Sequence, residues 1–431
     1  MLLRSLRIIS FLSSGVLACS SVNAQALYMY IDGPGSCIFE TNVSEPSVRA
    51  ICRWTPPGSS QEWTIVAGDF NSVNSINVNH VAAWDGSTWQ TLDKGFDKEA
   101  FCATVYDGKL VVGGSFYGTH PDATQGSVDL GFVAVWVHEE NEPLNGQWKR
   151  LYDDSTAGSE FGVDSNVRGL TVHDGSLFAC GDFIRVLNST GSSDLLYRIG
   201  KWTKSNSTWN VGDWDQLSTG LDSVAHSIAT HDGAVWVGGD FSAKLGKWTG
   251  SNWSTPGLSP SNNVRAVDAA DSKLLVGTSG GDIYERVSGS WTTHTNIGGQ
   301  VNVLSYWLGN IIAGGFISLP NSYGLGILRS GTWTDVDEGP GDIVWDISHN
   351  PDCTILIGGT WIATSTNVPT NALGIVQCLA DFNRDCAVDF SDYLDFVDMF
   401  SIEDPSADVD QDGSITFFDY LDFVQAFSVG C

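Results

Sequence analysis

The chain has 431 residues, 42% of them hydrophobic and 11% aromatic, and a formal net charge of −29. That length holds two or three domains with cores of their own, and the composition is that of an ordered globular protein rather than a disordered one. So acidic a chain excludes nucleic acid and anionic membranes as partners, because binding them relies on Lys and Arg neutralising phosphate.

At the N-terminus, Arg4 and Arg7 precede an apolar stretch from Ile8 to Ala18 and a small-residue exit at Val22-Asn23-Ala24. This reads as a secretory signal over residues 1–24, cut after Ala24. The rival is a lipobox at Val16-Leu17-Ala18-Cys19, which would make Cys19 a lipidated first residue on the cell surface. No later run is long and apolar enough to span a bilayer. Past Ala24 eight cysteines remain: Cys37, Cys52, Cys102, Cys180, Cys353, Cys378, Cys386 and Cys431. An exported compartment permits disulfides, but sequence cannot choose among the pairings. Cys378 and Cys431 bracket the C-terminal segment, so a bridge between them is the one pairing expected. No Cys-x-x-Cys and no Cys/His spacing suits zinc.

From Val48 to Cys378 one pattern returns seven times. An apolar strand and a turn lead to a second apolar strand ending in a glycine doublet or its relic, and two more strands follow, the last carrying Trp. The doublet line reads VAGDF (66–70), VVGGSF (111–116), ACGDF (179–183), VGGDF (237–241), VGTSG (276–280), AGGF (313–316) and IGGTW (357–361). Asp107-Gly108, Asp174-Gly175 and Asp232-Gly233 each sit between apolar runs, the strongest short hairpin signal. Seven four-stranded units imply an all-β, seven-bladed propeller over residues 48–378, the radial answer to exposed sheet edges, with six or eight blades as the alternative. The blades fall at 48–92, 101–151, 167–217, 225–257, 263–294, 300–336 and 342–378. The last lacks a Trp strand, and the N-terminal segment 25–47, with Ala26 to Phe39 as the strand donor, is expected to close the ring.

The doublet-then-Trp order resembles kelch repeats, and more closely the repeats of secreted bacterial propellers, as in Ala83-Trp84-Asp85-Gly86-Ser87-Thr88-Trp89. The resemblance implies fold, and fold is not function. Asp69, Asp182 and Asp240 follow glycine at equivalent places; repetition marks them as scaffold, since an active site must break the symmetry. The 17 tryptophans, all between Trp54 and Trp361, read as packing between blades, with exposed ones able to stack on sugars. Loop length does break the symmetry. The long loops 71–80, 117–131, 152–166 and 184–197 all belong to blades one to three and form a candidate rim for a carbohydrate or protein ligand, bearing Asp122, Asp129, Asp153, Asp154, Glu160 and Asp164. No catalytic residue is assigned: there is no Gly-x-Ser-x-Gly elbow, no His-Glu-x-x-His and no phosphate-cradling glycine loop.

The C-terminal module, 379–431, holds two copies of one pattern 27 residues apart, DFNRDCAVDFSDYLDFVDMF and DVDQDGSITFFDYLDFVQAF. Calcium takes six to eight oxygen ligands, and a 12-residue loop supplies them from positions 1, 3, 5, 7, 9 and 12. In the first copy these are Asp381, Asn383, Asp385, Ala387 through its carbonyl, Asp389 and Asp392. In the second they are Asp408, Asp410, Asp412, Ser414 through its carbonyl, Thr416 and Asp419. Two calcium ions are therefore expected. Gly413 fills the sharp-turn sixth place, whereas Cys386 stands there in the first copy, at a cost in strain that should weaken that site. Closing Asp rather than Glu favours a static structural site. Leu394, Val397 and Phe400, with Leu421, Val424 and Phe427, recur at helical spacing and are expected to form the core face. Between Asp381 and Cys431, 13 acids face the single base Arg384, so this module carries 13 − 1 = 12 of the 29 net negative charges.

Two loop–helix units without the helix that precedes an EF-hand loop resemble the dockerin family, and the terminal Gly430-Cys431 resembles a bacterial subtype ending in Gly-Cys. The resemblance implies calcium-dependent docking of an exported protein onto a cohesin-type module or a cell-surface scaffold. It also assigns partner contact to loop positions 10 and 11, here Phe390 and Ser391, then Phe417 and Phe418. The residues themselves leave Phe390 and Phe417 equally open to a core role. Two functions compete for the larger domain: a non-enzymatic binding propeller, and a polysaccharide hydrolase or lyase of the kind that dockerins carry.

Overall fold

The computed structural model describes residues 28–32, 37–41, 45–121, 126–138, 142, 144–153, 160–188, 194–204, 211–270, 272–320, 322–336, 340–360, 372–409 and 412–430. Before Asp381 the described secondary structure is all strand, organised as seven four-stranded antiparallel sheets and two three-stranded ones. The four-stranded sheets follow one another along the chain, each running from an inner strand outward. Their inner strands are Ser47–Trp54, Ala100–Tyr106, Val167–His173, Ala225–His231, Val264–Ala270, Gln300–Trp307 and Ile343–His349. In the last sheet the outer edge is Tyr28–Asp32, paired antiparallel with Leu373–Cys378 from Tyr28 opposite Cys378 to Asp32 opposite Gly374. The N-terminal end of the described chain is thus hydrogen-bonded into the sheet that ends the repeat.

The second strand of each sheet is buried on both faces, as in Ser176–Gly181 and Ala234–Gly239, because another sheet covers each side. The glycine doublet explains how closely the sheets approach. A Cβ on Gly113, Gly238, Gly277, Gly314 or Gly358 would lie 2.2–2.7 Å from the side chain of Val167, Val264, Val301, Val344 or Val48, each in the next sheet. The Gly358–Val48 approach joins the seventh sheet to the first, so the arrangement closes into a ring and is propeller-like. The second glycine has another task. A Cβ on Gly68, Gly114, Gly181, Gly239 or Gly315 would fall 2.0–2.3 Å from a carbonyl beside the start of the inner strand of its own sheet. That crowding marks a β-bulge, which every four-stranded sheet carries at the same place.

Outer-strand tryptophans staple neighbouring sheets. Trp148, Trp253, Trp291 and Trp333 each donate an indole N–H to a carbonyl just past the outer strand of the preceding sheet: Leu92 (2.9 Å), Leu217 (3.1 Å), Pro256 (2.9 Å) and Thr295 (2.6 Å). The three Asp-Gly pairs form left-handed turns, with φ of 49° and 75° at Asp107-Gly108, 46° and 71° at Asp174-Gly175, and 49° and 65° at Asp232-Gly233.

The C-terminal module has two helices, α1 (Phe390–Ser401) and α2 (Phe417–Val429). Its core corrects the expected face. Leu394 and Leu421 are exposed at 49% and 44%, and the buried stripe runs instead through Phe396 and Phe423, stacked with centroids 4.0 Å apart. Val397, Phe400, Val424 and Phe427 pack against that pair. Both stripes have helical spacing; the one carrying Tyr393, Phe396 and Phe400 removes more apolar area from water and so turns inward.

The module is fastened to the ring. Cys386 is disulfide-bonded to Cys353, in the turn between the first two strands of the seventh sheet, with Cα atoms 5.3 Å apart. Arg384 lies 3.7 Å from Asp352, and Arg329 donates to the carbonyl of Gly430. Cys378 is also disulfide-bonded, while Cys431, its expected partner, lies outside the described residues. Cys52, Cys102 and Cys180 are free thiols. Burial pushes the Cys52 thiol up to about 12 and raises the other two as well, which keeps them protonated and unreactive.

Candidate functional site

The two loop–helix units share one hydrogen-bond frame. At the sixth position, Cys386 N–H donates to Asp381 Oδ2 (3.2 Å) and Gly413 N–H to Asp408 Oδ2 (3.0 Å). At the seventh, Ala387 N–H donates to Asp385 Oδ1 (3.0 Å) and Ser414 N–H to Asp412 Oδ1 (2.8 Å). The closing residues are fully buried. Asp392 accepts from Asn383 N (3.1 Å) and Asp389 N (2.9 Å), and Asp419 from Val409 N (2.8 Å) and Thr416 N (2.7 Å). Asp389 and Thr416, at the ninth place, are also the N-caps of α1 and α2, and Asp392 and Asp419 complete a capping box in each. An Asp closes each loop because it is also the third helical residue reaching back to the cap.

Position 6 needs a left-handed backbone in both copies, with φ of 76° at Cys386 and 85° at Gly413. The first loop meets that need with a disulfide in place of glycine. Among the described residues no three His, Cys, Asp or Glu side chains converge as a ready-made metal cluster, and Asp410 lies outside them. The donors present nonetheless fit a hard cation. Asp408 Oδ1 is buried with no hydrogen-bond partner, and burial together with the nearby Asp392 and Asp385 charges holds the Asp381 carboxyl above its usual range. Phe390, Phe417 and Phe418 are 65%, 65% and 68% exposed, and Ser391 is exposed too, so none of the four belongs to the core.

A second site is formed by residues that the repeat pattern does not single out. In each inner strand the bulge skips one residue, and the seven skipped residues are Arg49, Phe101, Arg168, His226, Arg265, Asn302 and Trp345. All seven line one central cavity of about 630 Å³. Bulges re-aim side chains, and here seven equivalent ones send three guanidiniums, an imidazole, an amide and two aromatic rings to a common mouth. The signal was present as Val48-Arg49-Ala50, Val167-Arg168-Gly169 and Val264-Arg265-Ala266. It passed unnoticed because the other four positions carry different residues.

The repeated Gly-Asp acids stand behind these cations. Asp182 forks Arg168 at 2.8 and 2.9 Å, and Asn166 donates to it at 2.9 Å. Asp240 lies 2.9 Å from His226 Nε2 and 3.4 Å from Arg265, while Glu99 lies 3.5 Å from Arg49. Asp69 sits 3.7 Å from His80. The Asp182 bond raises Arg168, whereas burial lowers Arg49 despite Glu99 and lowers His226 despite Asp240. Arg49 is spread over Trp345 at 4.6 Å and Phe101 at 5.3 Å from the ring centroids. Among the other lining residues, burial pushes the Asp268 carboxyl up to about 6 and that of Asp346 up to about 7.

Of the expected rim, loops 71–80, 152–166 and 184–197 contribute strands to the two small sheets, while the described part of 117–131 makes only the isolated bridges Gly118–Asp129 and Thr119–Phe96. One small sheet joins Phe39–Glu40, Ser72–Val73 and Ile76–Asn77; the other joins Tyr152–Asp153, Glu160–Val163 and Val186–Asn188. Asp164 accepts from the N–H groups of Ile184 (2.7 Å) and Arg185 (3.2 Å), so it ties loops together, and Asp129 is exposed. Asp122 and Asp154 lie outside the described residues.

No family model matches the chain, and no curated protein matches it. Similar solved structures include the computationally designed Ika8 protein, with 13% identity and a TM-score of 0.46 over 82% of this chain and 99% of that one. The WD40 beta propeller domain of Doa1 gives 12% and 0.47 over 82% and 96%. An extracellular domain from B. thetaiotaomicron, described as that of the hybrid two component system BT4673, gives 13% and 0.48 over 81% of this chain and 39% of that one.

Proposed function

We propose that this is an exported binding protein: a seven-bladed propeller that holds a ligand, tethered through a dockerin-like, calcium-loaded module to a cohesin-type partner or a cell-surface scaffold. The observation that carries the tether is the shared frame of the two loop–helix units, which leaves Phe390, Phe417 and Phe418 outside the core. Apolar side chains of that size left in water at matching places on two helices fit a docking surface. Asp381, Asn383, Asp385, Ala387, Asp389 and Asp392 would hold one calcium ion, and Asp408, Asp410, Asp412, Ser414, Thr416 and Asp419 the other. The ions would neutralise the crowded carboxylates and fix each loop on its helix. Among the described residues no helix is long and apolar enough to cross a membrane.

Calcium titration by calorimetry, followed by capture on the surface fraction of the producing cell with and without chelator, tests this reading. Two ions bound, calcium-dependent capture, and loss of capture without loss of calcium in a Phe390→Ala, Phe417→Ala, Phe418→Ala variant are expected. Capture that persists in chelator would overturn it.

A further inference from the structure

We infer that the ring of bulge residues at the channel mouth is a binding site for an oxyanion, a carboxylate or sulfate carried on a small or chain-end ligand. The inference deepens the binding role proposed for the propeller and rests on it. Three observations carry it.

The first is the sign of the lining. In a chain of net charge −29, the residues that line the cavity include Arg49, Arg168, Arg265 and His226 but none of the acids paired with them, Glu99, Asp182 and Asp240. The carboxylates stand behind the guanidiniums and fix their directions, and the cations face the water. Only Asp268 and Asp346 among the described lining residues are acids, and Asp346 is occupied by the backbone N–H groups of Ile51 and Ile347.

Spare donor capacity is the second. Arg49 and Arg265 keep 29% and 25% of their side chains exposed beside ion pairs as long as 3.5 and 3.4 Å, which leaves their guanidiniums open to charge-assisted bonds with an incoming oxyanion. Guanidinium is the side chain whose fork matches a planar carboxylate or a sulfate.

The third is how the ring is built. The bulge is common to all seven sheets, but the residue it presents differs from sheet to sheet. Structural repetition fixes the geometry and leaves the chemistry free. Arg at three of seven places, with the Arg49 guanidinium over the rings of both Trp345 and Phe101, is an asymmetric and oriented cluster rather than a solvated charge run. The cavity of about 630 Å³ admits a ligand of one or two sugar rings or a short acidic peptide end.

Calorimetry on the full mature chain, at constant ionic strength, tests the site with glucuronate, galactose 6-sulfate, inorganic sulfate and neutral glucose. One-to-one binding of at least one oxyanion, with none of glucose, is expected. Arg49→Gln and Arg265→Gln should each weaken binding at least tenfold. If inorganic sulfate binds as well as the sugars, the charged group alone is recognised; if only the sugars bind, the ring also reads the carrier; either result supports the site. Should an arginine variant fail to fold, as judged by its melting curve without ligand, Asn302→Asp adds a carboxylate to the ring and should abolish binding by itself. Absence of binding by all three oxyanions at tens of millimolar, or binding unchanged in the variants, would overturn the inference. The Arg49→Gln chain should still be captured through calcium, so failure of the ring and failure of the tether are separable.

Discussion

Cutting the Cys353–Cys386 bridge is the sharpest perturbation of the way the module is held. The bond closes a loop of 33 residues. If the chain unfolds as one unit, restoring that freedom to the unfolded state costs about 3.7 kcal/mol. If the helical module opens alone while the ring stays folded, the relevant loop runs only from Cys378, the last ring residue, to Cys386, and the loss falls to about 2.5 kcal/mol. The two cases differ in which amides respond. Hydrogen exchange on Cys353→Ser, Cys386→Ser should show ~60-fold loss of protection confined to α1 and α2 for local opening, since a tenfold change is about 1.4 kcal/mol. Global coupling would give a loss of ~400-fold shared with the inner strands of the ring. A second variant separates cross-link from backbone. Cys386 has φ of 76°, where an L residue other than glycine is strained, so Cys353→Ser, Cys386→Gly should recover about 1 kcal/mol relative to the double serine chain. Protection in α1 and α2 within threefold of the parent in both variants would refute the idea that the bridge holds the module.

Gly358→Ala places a Cβ 2.7 Å from Val48 at the closure between the seventh and first sheets, and should cost roughly 1–3 kcal/mol in a melting experiment. A cost near zero would mean the closure is looser than drawn. Removing the chain through Asp32 strips the outer strand from Leu373–Cys378 and should lower the melting temperature by many degrees; an unchanged melt would show that the strand adds nothing. Burial pushes the Asp346 carboxyl up to about 7, with the Asp268 charge adding to the shift against backbone bonds from Ile51 and Ile347. The folded chain then holds this proton more tightly than the unfolded one. Its contribution is full below about pH 4 and is lost as pH rises towards 7, by at most about 1.4 kcal/mol per pH unit. The carboxylate borders the channel water, so the measured slope should be shallower. Melting temperatures of the parent and Asp346→Asn should converge or cross between pH 4 and 8, and parallel curves would exclude the effect.

What the sequence made legible follows from what repeats. The doublets, the Asp-Gly turns and the Trp strands recur because each sheet needs the same close approach, the same reversal and the same staple, so even degenerate copies can be aligned. The duplicated loop–helix pattern is legible for a related reason. The spacing of oxygen-bearing residues in a 12-residue loop is set by local geometry, and two copies in register stand out where a lone acidic run does not. Within the helices periodicity was ambiguous by one position, and Leu394 gave way to Phe396 because area buried decides between two faces of equal spacing.

The ring at the channel mouth was illegible for the opposite reason. Its position repeats but its residues do not, and a skipped residue in a strand leaves no mark on the alternation of apolar and polar side chains beyond a one-place slip. Asp182 and Asp240 are legible as repeats, and in the structure they lie against Arg168, His226 and Arg265, the side chains that line the channel. A repeated acid and a variable cation are thus two halves of one device. The acid recurs wherever its turn recurs, and the cation appears only where the site calls for charge. The same logic applies at Cys386, where a departure from glycine looked like a flaw in the first loop. Its strain is offset by a covalent tie to Cys353, across 33 residues that no local pattern spans. In both places the informative residue is the one that departs from its repeat, and its meaning lies in the partner that the fold brings to it.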